Sequence, residues 1–133
     1  MPSNKKLLQA AAGNAGESVY VEDVFSTYLY EGNSSTQTII NGIDLDGEGG
    51  LVWHKRRTGT GENHYLYDTE RGVAKDLQSN QTNAEGATGT GGLTSFNSNG
   101  YTYGTAQETG YDYVGWTFRK AEKFFDVVTY TGN

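Results

Sequence analysis

The sequence contains no cysteine. Disulfides, thiolate zinc sites and cysteine nucleophiles are therefore excluded. One proline stands against 19 glycines, so many tight turns and few rigid ones are expected. Positive charge is scarce, and the net charge is -6. That balance argues against duplex nucleic acid as a partner, since phosphate binding needs a basic surface. No apolar run approaches the ~20 residues of a membrane span, so no membrane insertion is expected. No G-x-S-x-G, H-E-x-x-H or phosphate loop occurs, and Gly59-x-Gly61 lacks the lysine and the following helix.

The chain has 133 residues, enough for one domain that buries roughly two thirds of its unfolded surface. Only 35% of residues are hydrophobic, and ten Tyr, five Phe and two Trp must share in the core. Tyrosine suits half-exposed sheets and interfaces, with an apolar ring and a polar tip.

The most structured stretch is Gly49 to Gly72. Leu51, Trp53 and Lys55 alternate with Val52, His54 and Arg56, as in a strand. Thr58 to Asn63 is turn-like, and His64 to Tyr67 resumes the strand, so the stretch reads as an antiparallel hairpin. Further strands are expected at Val19–Val21, Val24–Tyr30, Thr36–Ile43, Leu93–Phe96, Tyr101–Tyr103 and Tyr111–Arg119. Asn97 to Gly100 is an Asn-Gly turn, Val73–Gln78 a short strand or helical turn, and Ser79–Gly92 a surface loop. Short strands at close spacing predict an all-β fold, an antiparallel β-sandwich of jelly-roll or concanavalin-like type. Trp53, Trp116, Phe96, Phe118 and Leu66 are its expected interior, and Tyr101, Tyr103, Tyr111 and Tyr113 its expected surface aromatics.

At the start, Leu7 to Ala12 is too short and too polar for the apolar part of a signal peptide. Residues 1–18 read instead as an arm, with one helical stretch from Lys5 to Ala12 ended by Gly13-Asn14. It is the one helix expected. Residues 19–122 are the sandwich. Residues 123–133, with the strand-like run Phe124–Tyr130, are its last strand or the opening of a following module.

The ordered series Gly50-Leu51-Val52-Trp53, Asn63-His64, Leu66-Tyr67-Asp68, Arg71-Gly72, Ala84-Glu85, Leu93 to Ser98 and Tyr113 to Phe118, opened by Asp23 to Thr27, resembles a domain of structural proteins of marine tailed bacteriophages. The resemblance covers roughly Glu22 to Asn133. It implies a virion location, as a fibre, spike or head-decoration component, and a concanavalin-like sandwich that often follows. In relatives a run similar to Phe125–Asn133 opens that next module. The resemblance supplies no catalytic residues. His54 departs from it, standing where relatives often have an apolar residue, which is expected to make the strand's outer face more polar.

The expectation is then a non-enzymatic virion protein docked by Lys5, Lys6, Leu7 and Leu8 onto other virion proteins of capsid or tail. It would be homo-oligomeric, most simply trimeric. The alternative is a carbohydrate-binding attachment module in which Tyr101, Tyr103, Tyr111 and Tyr113 stack on a host glycan. The third is a glycan depolymerase, because paired carboxylates such as Asp68 and Glu70 cleave glycosides when held ~5 to 10 Å apart. Arg71 beside them reads more simply as an ion pair pinning a turn. Asp44-x-Asp46-x-Glu48 loosely resembles a calcium loop but has no closing acid. His54 and His64 would lie side by side on the hairpin without a third zinc ligand. No metal or cofactor is expected. Lys55-Arg56-Arg57 is the only basic cluster, set at the hairpin tip.

Overall fold

Alternation from Gly50 to Arg56 sets the main ladder. The computed structural model describes residues 18–133; the expected docking residues Lys5, Lys6, Leu7 and Leu8 lie outside the described residues. The elements in chain order are α1 (Val21–Val24), β1 (Phe25–Glu31), β2 (Gln37–Ile40), α2 (Leu45–Glu48), β3 (Gly50–Arg56), β4 (Tyr65–Asp68), β5 (Lys75–Gln78), β6 (Gly86–Ala87), β7 (Leu93–Asn97), β8 (Gly100–Tyr103) and β9 (Asp112–Arg119). They form a six-stranded sheet in the order β1-β9-β3-β4-β5-β6 and a three-stranded sheet in the order β2-β8-β7. Every pairing is antiparallel. The expected all-β sandwich is the observed architecture.

β9 is held on both sides. It pairs Trp116 with Thr27 of β1 and with Trp53 of β3. The hairpin of β3 and β4 forms as the alternation predicts, with Trp53 opposite Leu66. The β7–β8 hairpin turns between Asn97 and Gly100. Gly100 has φ 151°, and a Cβ there would fall 1.9 Å from the Ile39 carbonyl oxygen. Only glycine lets β2 approach β8 at that point.

The interior faces the other way from expectation. The buried cluster is Ile39, Ile43, Leu45, Val52, Tyr67, Leu93, Tyr101 and Tyr103, with Phe96 packed against it. The β3 residues that point inward are therefore Val52 and His54. Trp53, Trp116, Phe118 and Leu66 are half-buried on the opposite, outer face. Apolarity alone favours the tryptophan face. The tyrosine face is buried instead, and the polar tips of Tyr30, Tyr67 and Tyr103 find partners inside. Tyr67 and Tyr103 hydroxyls meet at 3.2 Å, and the Tyr30 hydroxyl meets His54 Nε2 at 2.5 Å.

Two short helices replace expected strand and loop. Val21–Val24 turns because Asp23 Oδ2 accepts from the Tyr20 amide at 3.0 Å, and Val24 anchors the turn at 3% exposure. Leu45–Glu48 turns because Asp44 caps it, accepting from the Gly47 amide at 2.8 Å, while Leu45 is buried. The run Phe124–Tyr130 forms no ladder strand. Ala121 and Phe125 share one isolated bridge, and the Phe125 ring packs 5.3 Å from that of Phe118. Beyond it, Val127 to Tyr130 border a shallow hollow with Leu51, Leu66 and Leu77 on the outer face. A segment beside a sheet's face finds no free row of amides and carbonyls to pair with, whatever its β propensity.

Candidate functional site

Two features of this fold present chemistry to a partner. The first is a cleft of about 290 Å³ on the inner side of the large sheet. His54 and Tyr103 line it, their rings stacked at 3.8 Å and 15° across the two sheets. Burial drives the His54 pKa down to about 3, so the imidazole is neutral and Nε2 accepts from the Tyr30 hydroxyl. Burial raises the pKa values of Tyr65, Tyr67, Tyr103 and Tyr113, keeping these phenols protonated. Thr88 and Gly92 also border the cleft; a Cβ on Gly92 would stand 2.6 Å from the Tyr67 hydroxyl.

The charged lining of the cleft comes from Arg56, Glu62 and Glu108. Arg56 Nη1 lies 3.3 Å from Glu108 and 3.6 Å from Glu62, and Nη2 donates to the Thr60 carbonyl at 2.8 Å. The Tyr111 ring packs on the guanidinium, 4.1 Å from Cζ. Only 9% of the Arg56 side chain is exposed. Its buried Nε has no hydrogen-bond partner among the described residues.

The second feature is the outer face of the large sheet. Phe25, Trp53, Trp116 and Phe118 surround an apolar hollow of about 230 Å³. The two indoles meet edge to face at 5.4 Å, and Trp53 Nε1 donates to His64 Nδ1 at 3.0 Å. Leu29, at 54% exposure, and Leu77, at 39%, extend the apolar surface.

The aromatic platform expected on the surface is not there. Tyr101, Tyr103 and Tyr113 are buried, at 0%, 2% and 4% exposure. The correction follows from the inverted interior, since their strands turn this face toward the opposite sheet. Tyr111 is half-buried beneath Arg56. Tyr103 and Tyr113 reappear as lining of the cleft. His54 is an interior residue, not a polar substitution on the outer face.

The other candidates separate as well. His54 and His64 are not side by side. His54 points into the sandwich, whereas His64 packs against Trp53 on the outer face. Among the described residues no group of three His, Asp or Glu is placed to hold a metal. Asp44 is a helix cap. Asp68 is 4% exposed and accepts from the Glu70 and Arg71 amides at 3.0 and 2.8 Å and from Arg71 Nε at 2.5 Å. Glu70 is exposed and paired with Lys120 at 2.8 Å. Of the two carboxylates proposed for glycan cleavage, Asp68 thus pins a turn, with Arg71 as the ion-pair partner that sequence suggested, and Glu70 pairs on the surface.

Arg56 and Glu62 were legible as charges but not as cleft residues. The signal was the alternation itself, which puts Arg56 on the strand face of Val52 and His54. Glu108 arrives from the loop before β9, a placement no local pattern encodes.

Residues 21–133 match the family described as a domain of unknown function, DUF7483. The chain belongs to this family. No curated protein and no solved structure matches it. The match takes in the whole DUF7483 sandwich, so the cleft and the outer aromatic face both lie within the family's domain.

Proposed function

We propose that this DUF7483 chain is a non-enzymatic structural protein of a bacteriophage particle, a component of a fibre, spike or head decoration that works as a homo-oligomer. The observation that carries the reading is the outer aromatic face. Contiguous apolar surface left partly open to solvent marks an interface, and this one, of half-buried aromatics edged by exposed Leu29, is built on three adjacent strands. Trp53 and Trp116 at its centre are the residue type that dominates binding energy at interfaces. A second copy is the occupant, because particles built of many identical chains repeat one patch around a symmetry axis, most simply a threefold. The resemblance to phage structural proteins supplies the particle, and the arm bearing Lys5, Lys6, Leu7 and Leu8 supplies attachment to it. The bonding of Asp44 and Asp68 supports a mechanical over a chemical role, which leaves the depolymerase as the weakest reading.

The test is mass spectrometry of purified virions from the phage that encodes the chain, with and without residues 1–16. The full chain is expected on the particle at a copy number that is a multiple of its oligomer. The shortened chain is expected to fold and remain unincorporated. Particles lacking the full chain, or carrying the shortened one at normal copy number, would refute the proposal.

A second reading, a carbohydrate-binding attachment module, is favoured by the tyrosine-lined cleft rather than by a surface platform.

A further inference from the structure

We infer that the cleft between the sheets, lined by Arg56, is a binding site for one neutral sugar ring. This deepens the second reading and is independent of the assembly reading, because the cleft and the aromatic face lie on opposite sides of the large sheet.

Three observations converge. The first is the state of Arg56. Its side chain is more than nine-tenths buried and lines the cleft, yet Nε–H has no acceptor among the described residues. Nε itself is closed off from solvent, so a ligand oxygen meets the guanidinium at Nη1 and Nη2, where Glu108, Glu62 and the Thr60 carbonyl stand at 3.3, 3.6 and 2.8 Å. The Tyr111 ring and the Thr60 carbonyl fix the guanidinium in place, so little ordering is left for the ligand to impose.

The second is the mixture of donors and acceptors. Glu62 and Glu108 bring only acceptors, Arg56 brings only donors, and the protonated phenol of Tyr65 brings both. A carboxylate or phosphate ligand would satisfy Arg56 but face two carboxylates. A simple amine would satisfy the carboxylates but face the guanidinium. A hydroxyl donates and accepts at once, and neighbouring hydroxyls on one ring reach Arg56 and a glutamate together. The half-buried Tyr65 ring complements the C–H face that a pyranose keeps alongside its hydroxyls.

The third is size. A cavity of about 290 Å³ lies at the lower end for small-molecule sites and suits one ring, not a chain of them. It is also preformed: the His54–Tyr103 stack and the Tyr67–Tyr103 hydroxyl contact fix its floor.

The inference is tested on the full chain by saturation-transfer NMR and titration calorimetry. The probes are glucose, galactose, mannose and N-acetylglucosamine, with glucuronic acid and glucosamine as charged controls. At least one neutral sugar is expected to bind with a Kd of about 1 mM, as suits a single ring. Glucuronic acid is expected to bind at least tenfold more weakly. Ala106, exposed at the cleft, gives a variant, Ala106→Phe, that fills the site without touching the core. It should reduce binding at least tenfold with an unchanged melting curve and unchanged oligomeric state. Arg56→Lys, which keeps the charge but removes the planar fork of donors, should weaken binding by a similar factor. No transfer from any neutral sugar at roughly tenfold above a millimolar Kd, preference for a charged control, or binding untouched by Ala106→Phe would each overturn the inference. A failure here with the oligomer intact leaves the assembly reading standing.

Discussion

Tyr103 of the small sheet and His54 of the large one stack across the interior, 3.8 Å between centroids and 15° between planes. The contact joins the two layers through a titratable ring that is 2% exposed. Its hydrogen bond from Tyr30 requires Nε2 to be unprotonated.

That geometry predicts acid sensitivity. The folded state lowers the His54 pKa from an ordinary 6.5 to about 3. The unfolded chain therefore binds the proton first. The stabilisation is complete above about pH 6.5 and is lost progressively as pH falls toward about 3, by up to roughly 1.4 kcal/mol per pH unit. The urea midpoint should fall between pH 6.5 and 5, before most carboxylates titrate. His54→Phe, which keeps a stacking ring, should be less stable at pH 7 and much flatter over that window. An equal slope in wild type and variant would assign the dependence elsewhere.

Gly115 makes room for Tyr101. A Cβ on Gly115 would lie 1.9 Å from the Tyr101 hydroxyl oxygen and 2.9 Å from Cζ. The Tyr101 ring is fully buried and cannot swing away. Gly115→Ala should cost about 1 to 3 kcal/mol or more by overpacking, read as a drop in melting temperature. Adding Tyr101→Phe removes the closest atom and should restore part of the loss. The two effects should be strongly non-additive, because the residues compete for one volume.

This pair also shows what the sequence could and could not say. Alternation in β3 and β9 correctly sorts residues into two faces, because side-chain direction in a strand is local. Which face turns inward is not local. Val114, Trp116 and Phe118 are the more apolar set, yet the sandwich closes over Tyr113, Gly115 and Thr117. Gly115 there admits Tyr101 from the opposite sheet, the Tyr67 and Tyr103 hydroxyls meet each other, and Tyr113 accepts from the Glu108 amide at 2.8 Å. Partners distant in sequence decide that outcome. The cleft was hidden for the same reason, since Arg56 and Glu108 meet across 52 positions. Hairpins, turns and the ion pair at Asp68 were legible because each is settled within a few residues.

Asp68 tests whether the acidic turn is scaffold or machinery. Its carboxylate accepts two backbone amides and the Arg71 side chain, and Arg71 Nη2 continues to the Leu66 carbonyl at 3.1 Å. Asp68→Ala leaves these donors unpaired in a buried place, at a cost of about 3 kcal/mol. Chemical denaturation should show that loss, while Glu70→Ala, on an exposed pair, should stay within about 1 kcal/mol of wild type. A stable Asp68→Ala protein that had lost glycan hydrolysis would reverse the assignment.

The outer face carries the last prediction. Trp53 and Trp116 contribute an edge-to-face pair but lie outside the buried cluster, so replacing either by serine should cost less stability than truncating Val52 or Tyr67. If the face joins copies, the same replacement removes a central anchor from every subunit contact at once. Each substitution should then weaken self-association at least about tenfold in Kd, read by sedimentation velocity across a dilution series. Closed symmetry sharpens the expectation, because a ring loses all its equivalent contacts together and should dissociate to monomer without populating open chains. Tryptophan emission should move to longer wavelength over the same dilution range in the wild type, since both indoles pass from a dry contact to water. Emission and sedimentation that report different midpoints would separate the indoles from the contact that holds the copies together.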